Sequence, residues 1–176
     1  MNKKVANVIL VIATAICFYF VMGDSSDRAK KIYQNEYENE NIAVSISRDA
    51  IKGDYRLMTA VELKLLMKNA SFLLIDTRPK KRYKSNHING ALNFQLSDEK
   101  MIKWDEKLVG QPLADFKKIL GADHDRLIVF YGKNLKSVTS HNGAGWANKT
   151  GYTNVIRFSG GIYAWRGAGF QTVTSK

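Results

Sequence analysis

Four short apolar runs, each set apart from the next by helix-like sequence, limit what this chain can fold into more than any other feature. They are Phe72-Leu73-Leu74-Ile75, Ala91-Leu92-Asn93-Phe94, Leu127-Ile128-Val129-Phe130-Tyr131 and Asn154-Val155-Ile156-Arg157-Phe158. Runs that do not alternate polar with apolar are buried on both faces, so they read as strands of a parallel sheet. The intervening stretches supply the covering layers. Thr59-Ala60-Val61-Glu62 is a capping box, in which the threonine oxygen and the glutamate carboxylate satisfy free amides of a helix start, and Leu63, Leu65, Leu66 and Met67 follow it. Met101 to Leu120 contains helical stretches broken near Gly110 and Pro112, and Val138 to Lys149 reads as a helix. The pattern predicts an α/β domain over residues 55–176, a parallel sheet with helices on both faces.

A different pattern precedes it. After a basic start at Lys3 and Lys4, Val5 to Met22 is uncharged and almost wholly apolar. Eighteen residues at about 1.5 Å each reach about 27 Å, close to the roughly 30 Å of a hydrocarbon core. Residues 1–23 are therefore predicted to be a transmembrane anchor or a signal peptide, with membrane contact through residues 5–22. The best cleavage site, Val21-Met22-Gly23 before Asp24, is a weak relative of the small-x-small pattern, so an uncleaved anchor is preferred to secretion after cleavage. Lys3 and Lys4 nearly balance Arg28, Lys30 and Lys31. The signal-like start, more than the charge rule, places the soluble part on the periplasmic or extracytoplasmic side. Residues 24–54 are predicted to be a polar linker or stalk, with Ile32, Tyr33 and Tyr37 at helical spacing.

Of the formal charge of +11, only Lys3 and Lys4 lie in the first 23 residues, which leaves +9 on the rest. That excess favours anionic partners such as lipid headgroups, acidic proteins or small oxyanions. Nucleic acid is not expected, because no zinc-ligand spacing, basic heptad region or RNA-reading aromatic motif is present. The one cysteine, Cys17, sits in the apolar segment, so neither an intrachain disulfide nor a cysteine metal site is available. His124 and His141 show no ligand spacing and are read as surface residues. No metal or cofactor is expected.

In parallel sheets the functional site lies at the carboxyl ends of the strands. Here the third run ends at Tyr131, and Gly132-Lys133-Asn134-Leu135-Lys136-Ser137 leads into a helix. Such a loop can curl its amides around an anion, helped by the helix dipole and two lysines. An ordinary surface loop with solvated lysines is the alternative.

At these residues the chain resembles the rhodanese-like family, from about Tyr55 to Val173. Three motifs carry the likeness: LIDTRPKKRYKSNHINGALNF (residues 74–94), the IVFYG strand and loop (128–132), and GYTNVIRFSGGIYAWRGAGF (151–170). The resemblance implies a rhodanese-like sheet and a family reaction in which a cysteine at the first loop position carries a sulfane sulfur. It puts Gly132 at that position, and Ser137 at a second position where a similar subgroup carries another cysteine. Sulfur carriage needs a thiolate, which neither glycine nor Ser137 or Ser140 provides. The resemblance further implies that Asp76, Arg78 and His87 are scaffold, that Gly160-Gly161 forms a tight turn, and that Trp165 is a packing anchor.

The expected function is thus a catalytically inactive, membrane-anchored rhodanese-like module that binds a protein partner or serves as an accessory subunit of a membrane-associated assembly. Two alternatives stand beside it. One is binding of an oxyanion or sulfur compound without turnover, by Gly132, Lys133, Asn134, Leu135, Lys136, Ser137 and Ser140, where the missing side chain at Gly132 is expected to leave extra room. The other is sulfur transfer relying on a partner's thiol.

Overall fold

In the computed structural model, residues 3–175 are described, with side chains from residue 26. The predicted anchor, residues 1–23, lies outside the residues with described side chains. Among the described residues no helix is long and apolar enough to cross a membrane. The chain divides into two compact units, residues 1–43 and 44–176.

The first unit belongs to α1 (Lys3–Gly53), where Ile32, Tyr33 and Tyr37 are exposed. The second unit begins at Val44, earlier than the residue 55 expected from sequence. The predicted linker is helical to Gly53, and its end packs onto the sheet domain: Ile46 is buried and Ala50 lies against the core. Asn148 holds the Gly53 and Asp54 carbonyls. The polar composition of this stretch hid that attachment, because only one face of the helix end is covered.

The remaining elements are β1 (Arg56–Met58), α2 (Ala60–Asn69), β2 (Leu73–Asp76), α3 (Lys80–Ser85), β3 (Leu92–Asn93), α4 (Glu106–Val109), α5 (Leu113–Leu120), β4 (Ile128–Tyr131), α6 (Val138–Lys149), β5 (Val155–Phe158) and α7 (Gly161–Gly167). All sheet pairings are parallel, in the order β1-β5-β4-β2-β3. The edge strand β1 was not predicted as a separate run; it is short and half uncovered, so it lacks an apolar signature. The capping box forms as expected: Glu62 N–H donates to Thr59 Oγ1 at 3.3 Å, and Thr59 N–H to the Glu62 carboxylate at 2.7 Å.

Successive strand residues point to opposite faces. Leu73, Ile75, Ile128, Phe130 and Val155 join Phe116, Leu120, Ala144 and Ala147 in one core, on the α5 and α6 side. Leu74, Val129, Tyr131, Ile156 and Phe158 join Leu63, Ile162 and Trp165 in the other, under α2 and α7. By the same alternation Arg157 shares its face with Val155 and is carried under α6.

Candidate functional site

The carboxyl ends of β2, β4 and β5 lie side by side, and the loop from Gly132 to Ser137 leaves β4 between the other two. Thr77, just beyond β2, donates both its backbone N–H and its hydroxyl to the Tyr131 carbonyl, each at 2.9 Å. On the β5 side, Ile162 N–H donates to Gly132 O at 3.0 Å and Tyr163 N–H to Lys133 O at 3.1 Å. This approach is so close that a Cβ on Gly161, whose φ is +58°, would stand 2.4 Å from the Gly132 oxygen. The glycine pair expected to form a tight turn is therefore what brings the start of α7 against the loop.

Inside the loop the donors are turned inward. Ser137 is the N-cap residue of α6, yet its hydroxyl makes no capping bond and accepts instead from Lys133 N–H (2.9 Å) and Asn134 N–H (3.0 Å). Lys136 N–H goes to Asn134 Oδ1 at 3.2 Å. The expectation of extra room at Gly132 is corrected here. A Cβ at this position would meet Ser137 Cβ and Thr139 Oγ1, both at 2.9 Å, so the space is already filled. Residue size alone could not reveal this, because the obstruction comes from the next turn of chain.

Asp76 and Arg78 form the corner after β2, and both are buried (0% and 6% exposed). Arg78 Nε donates to the Asp76 carboxylate at 3.0 and 3.1 Å and NH2 at 2.6 Å, a forked charge-assisted pair. NH2 also reaches Asn86 O at 2.6 Å. Burial by itself would lower the Arg78 pKa, but the Asp76 carboxylate outweighs it and leaves the net shift upward. His87 sits on the same corner. Its Nδ1 lies 3.0 Å from Tyr83 O, its ring stacks on Tyr83, and its backbone pairs with Val173 in both directions. Trp165 is buried and donates its indole N–H to Gln171 O at 2.8 Å.

Sequence reasoning missed Arg157. It is 2% exposed and none of its acceptors is a carboxylate. Nε donates to Ser140 Oγ at 3.1 Å, NH1 to Tyr55 OH at 3.4 Å, and NH2 to the loop carbonyls of Leu135 (3.3 Å) and Ser137 (3.0 Å). One guanidinium thus ties the loop to α6 and to the segment before β1. The signal was a lone cation inside an otherwise apolar strand run. Ser140 consequently does not face an anion site; it is buried between Arg157 and the Ser137 carbonyl. His141 is not a surface residue either, being half-buried with Nδ1 2.8 Å from Tyr55 OH. His124 is exposed and stacks on Tyr152.

Two clefts open beside the loop, of about 520 and 380 Å³, and Arg78 and Lys133 line both. The larger adds Lys136 and one carboxylate, Asp98; the smaller adds Arg82, Arg166 and Tyr163, with the Lys133 ammonium 5.4 Å from the Tyr163 ring centre. Among the described residues no group of His, Cys, Asp and Glu could hold a metal ion. The arrangement offers cations and a closed amide loop, and no thiol.

The family model described as Rhodanese-like domain matches residues 59–168. Among solved structures, the BH2092 protein of Bacillus halodurans is similar at 19% identity, over 75% of this chain and 86% of that one, with a TM-score of 0.53. A thiosulfate sulfurtransferase from Pseudomonas aeruginosa is similar at 16% identity, over 73% of this chain and 23% of that one, with a TM-score of 0.52. The Alr3790 protein of Anabaena sp. is similar at 22% identity, over 66% and 82%, with a TM-score of 0.49. At these identities the first two likenesses speak to fold alone. No curated protein matches the chain.

Proposed function

The chain belongs to the rhodanese-like domain family, and from that premise we propose that it is a rhodanese-like module without sulfur-transfer activity that works by binding a partner protein. The supporting observation lies at the start of the loop after β4. The family reaction needs a thiolate there, and Gly132 has no side chain, while Ser137 and Thr139 fill the space where a Cβ would stand. The Lys133 and Asn134 amides, which would steady an anionic sulfur, are spent on the Ser137 hydroxyl. Meanwhile the Asp76–Arg78 corner remains complete. Leu135 within the loop and Tyr163 at the start of α7 are exposed at 45% and 55%, and an exposed aromatic beside such a loop suits a protein partner. Residues 1–23 act as a single-pass anchor that keeps the module on the extracytoplasmic side as an accessory subunit of a membrane-associated assembly; after cleavage the same module would be periplasmic.

The solubilised chain is expected to release no thiocyanate from thiosulfate and cyanide above a protein-free blank. Turnover above the blank would refute the reading. Affinity purification from gently solubilised membranes is expected to bring down a distinct membrane-associated subunit.

The larger cleft supports a second reading, binding of a small oxyanion without turnover, because Lys133 and Lys136 line it against the single carboxylate of Asp98. Calorimetric titration with thiosulfate, sulfate and phosphate tests it. Binding that persists in Lys133→Ala and Lys136→Ala would remove these side chains as its basis.

A further inference from the structure

The smaller of the two clefts beside the Gly132 loop stands apart in charge. Residues 77–97 and 126–176 contain no Asp or Glu, so all 16 acidic residues of the chain lie elsewhere. Every residue lining the smaller cleft comes from one of these two stretches, whereas the larger cleft includes Asp98. Folding thus brings α3, the loop after β4 and α7 together around a space of about 380 Å³ with no carboxylate in its walls.

The cations there are of two kinds. Arg78 is buried, and its charge is spent on Asp76. Arg82, Lys133 and Arg166 are exposed, and among the described residues none of these three side chains makes a hydrogen bond or an ion pair. The Lys133 ammonium only approaches the Tyr163 ring, at 5.4 Å from its centre. Like charges sharing one cleft repel, and with no acid in the walls the repulsion is relieved by an anion from outside.

The form of the cleft narrows the choice of anion. A guanidinium is a planar fork that fits a carboxylate through two parallel bonds, and two uncommitted forks on separate elements, Arg82 on α3 and Arg166 on α7, can take two carboxylates. Tyr163 stands at 55% exposure over the buried Ile162, and Tyr and Arg are residue types that protein interfaces favour. Positive charge continues past the cleft, since Lys80, Lys81 and Lys84 are exposed on the same helix as Arg82. A single small anion would leave those lysines unanswered, and a flat lipid surface would reach only the rim. A chain carrying several carboxylates meets both the cleft and the helix.

We infer that the smaller cleft docks an acidic segment of a partner protein, with neighbouring Asp or Glu side chains on Arg82 and Arg166; this rests on the reading of the chain as a partner-binding module.

Fluorescence anisotropy of a short fluorescein-labelled glutamate peptide, titrated with the 176-residue chain in nonionic detergent micelles, tests it. The matching glutamine peptide is the reference. Saturable binding of the glutamate peptide alone is expected, weakened by added potassium chloride. Arg82→Gln together with Arg166→Gln should weaken it about tenfold or more, the scale of a lost charge pair at an interface. Both side chains are exposed and unbonded, so the fold should be untouched. Lys117→Gln together with Lys118→Gln removes the same charge from exposed positions on α5 and should weaken binding less than about twofold. No saturable binding of the glutamate peptide, or equal weakening by the two double variants, would overturn the proposal. So would displacement of the peptide by inorganic phosphate at the peptide's own concentration, or by phosphatidylserine doped into the micelles, which would assign the cleft to a small oxyanion or a lipid headgroup. In the affinity purification, a subunit recovered equally by the unmodified chain and by the arginine variant would overturn this site and leave the partner reading standing. Recovery of no subunit by the unmodified chain would overturn the partner reading, and this proposal with it.

Discussion

Arg78 and Arg157 are both buried at strands flanking β4, and they hold the same region in opposite ways. Arg78 is matched by a buried carboxylate two residues away in sequence, so its charge is neutralised within one corner. Arg157 is matched only by neutral acceptors: a serine hydroxyl, a tyrosine hydroxyl and two loop carbonyls. The first is a local lock and the second a clamp reaching across the fold. A buried ion pair is costly to break from one side, because removing one partner strands the other. A cation held by dipoles leaves no uncompensated charge when it is removed, only neutral acceptors without a donor.

Four experiments bear on that contrast. The largest effect is expected for Asp76→Ala, which leaves Arg78 buried without its carboxylate and should cost about 3–5 kcal/mol in urea unfolding. Adding Arg78→Met should recover part of this; a cost below about 1 kcal/mol for the single change would show that the corner is not an ion-pair lock. Arg157→Met should cost less, about 1.5–3 kcal/mol, the value of hydrogen bonds from a charged donor. Its signature is faster amide exchange at residues 133–137; unchanged exchange there would disprove the clamp.

Gly132→Cys restores a thiol and crowds Ser137 and Thr139, with an expected loss of about 1–3 kcal/mol from overpacking. It should produce no thiocyanate. Adding Ser137→Gly should relieve the strain and free the Lys133 and Asn134 amides, so any sulfur transfer should appear first in the double variant. Turnover by Gly132→Cys alone would show that the loop accommodates a side chain after all.

The smallest effect concerns pH. Burial pushes His141 below its ordinary 6.5; Asp49 opposes the shift, and Arg157, Lys100 and Lys149 add to it. The unfolded chain therefore takes up the proton first. Stability should be full above about pH 6.5 and decline as pH falls through that value. Between about pH 7.5 and pH 5 the melting temperature of His141→Gln should fall less than that of the unmodified chain. Equal declines would uncouple His141 from the Arg157 network.

The architecture was legible wherever local pattern and tertiary burial agreed. Phe72–Ile75 and Leu127–Tyr131 read as strands because both faces of the sheet are covered, and the Thr59 capping box is a contact within four residues. Asp76 and Arg78 entered only as scaffold implied by the rhodanese-like resemblance, and their pairing spans two residues. Arg157 was not legible, since its acceptors lie at residues 55, 135, 137 and 140. The end of α1 was missed because its polar sequence conceals a single covered face.

By itself the sequence determined the α/β class, the loop after β4 as the place to look, and the absence of a thiol there. These depend on periodicity, on residue identity, and on motifs that each occupy one stretch of chain. Tertiary structure alone decided that the space at Gly132 is filled, that the loop amides turn onto Ser137, and that Arg157 clamps the loop from beneath. Those facts depend on distances between segments that come together only in the folded chain, where packing rather than composition settles which donors stay free.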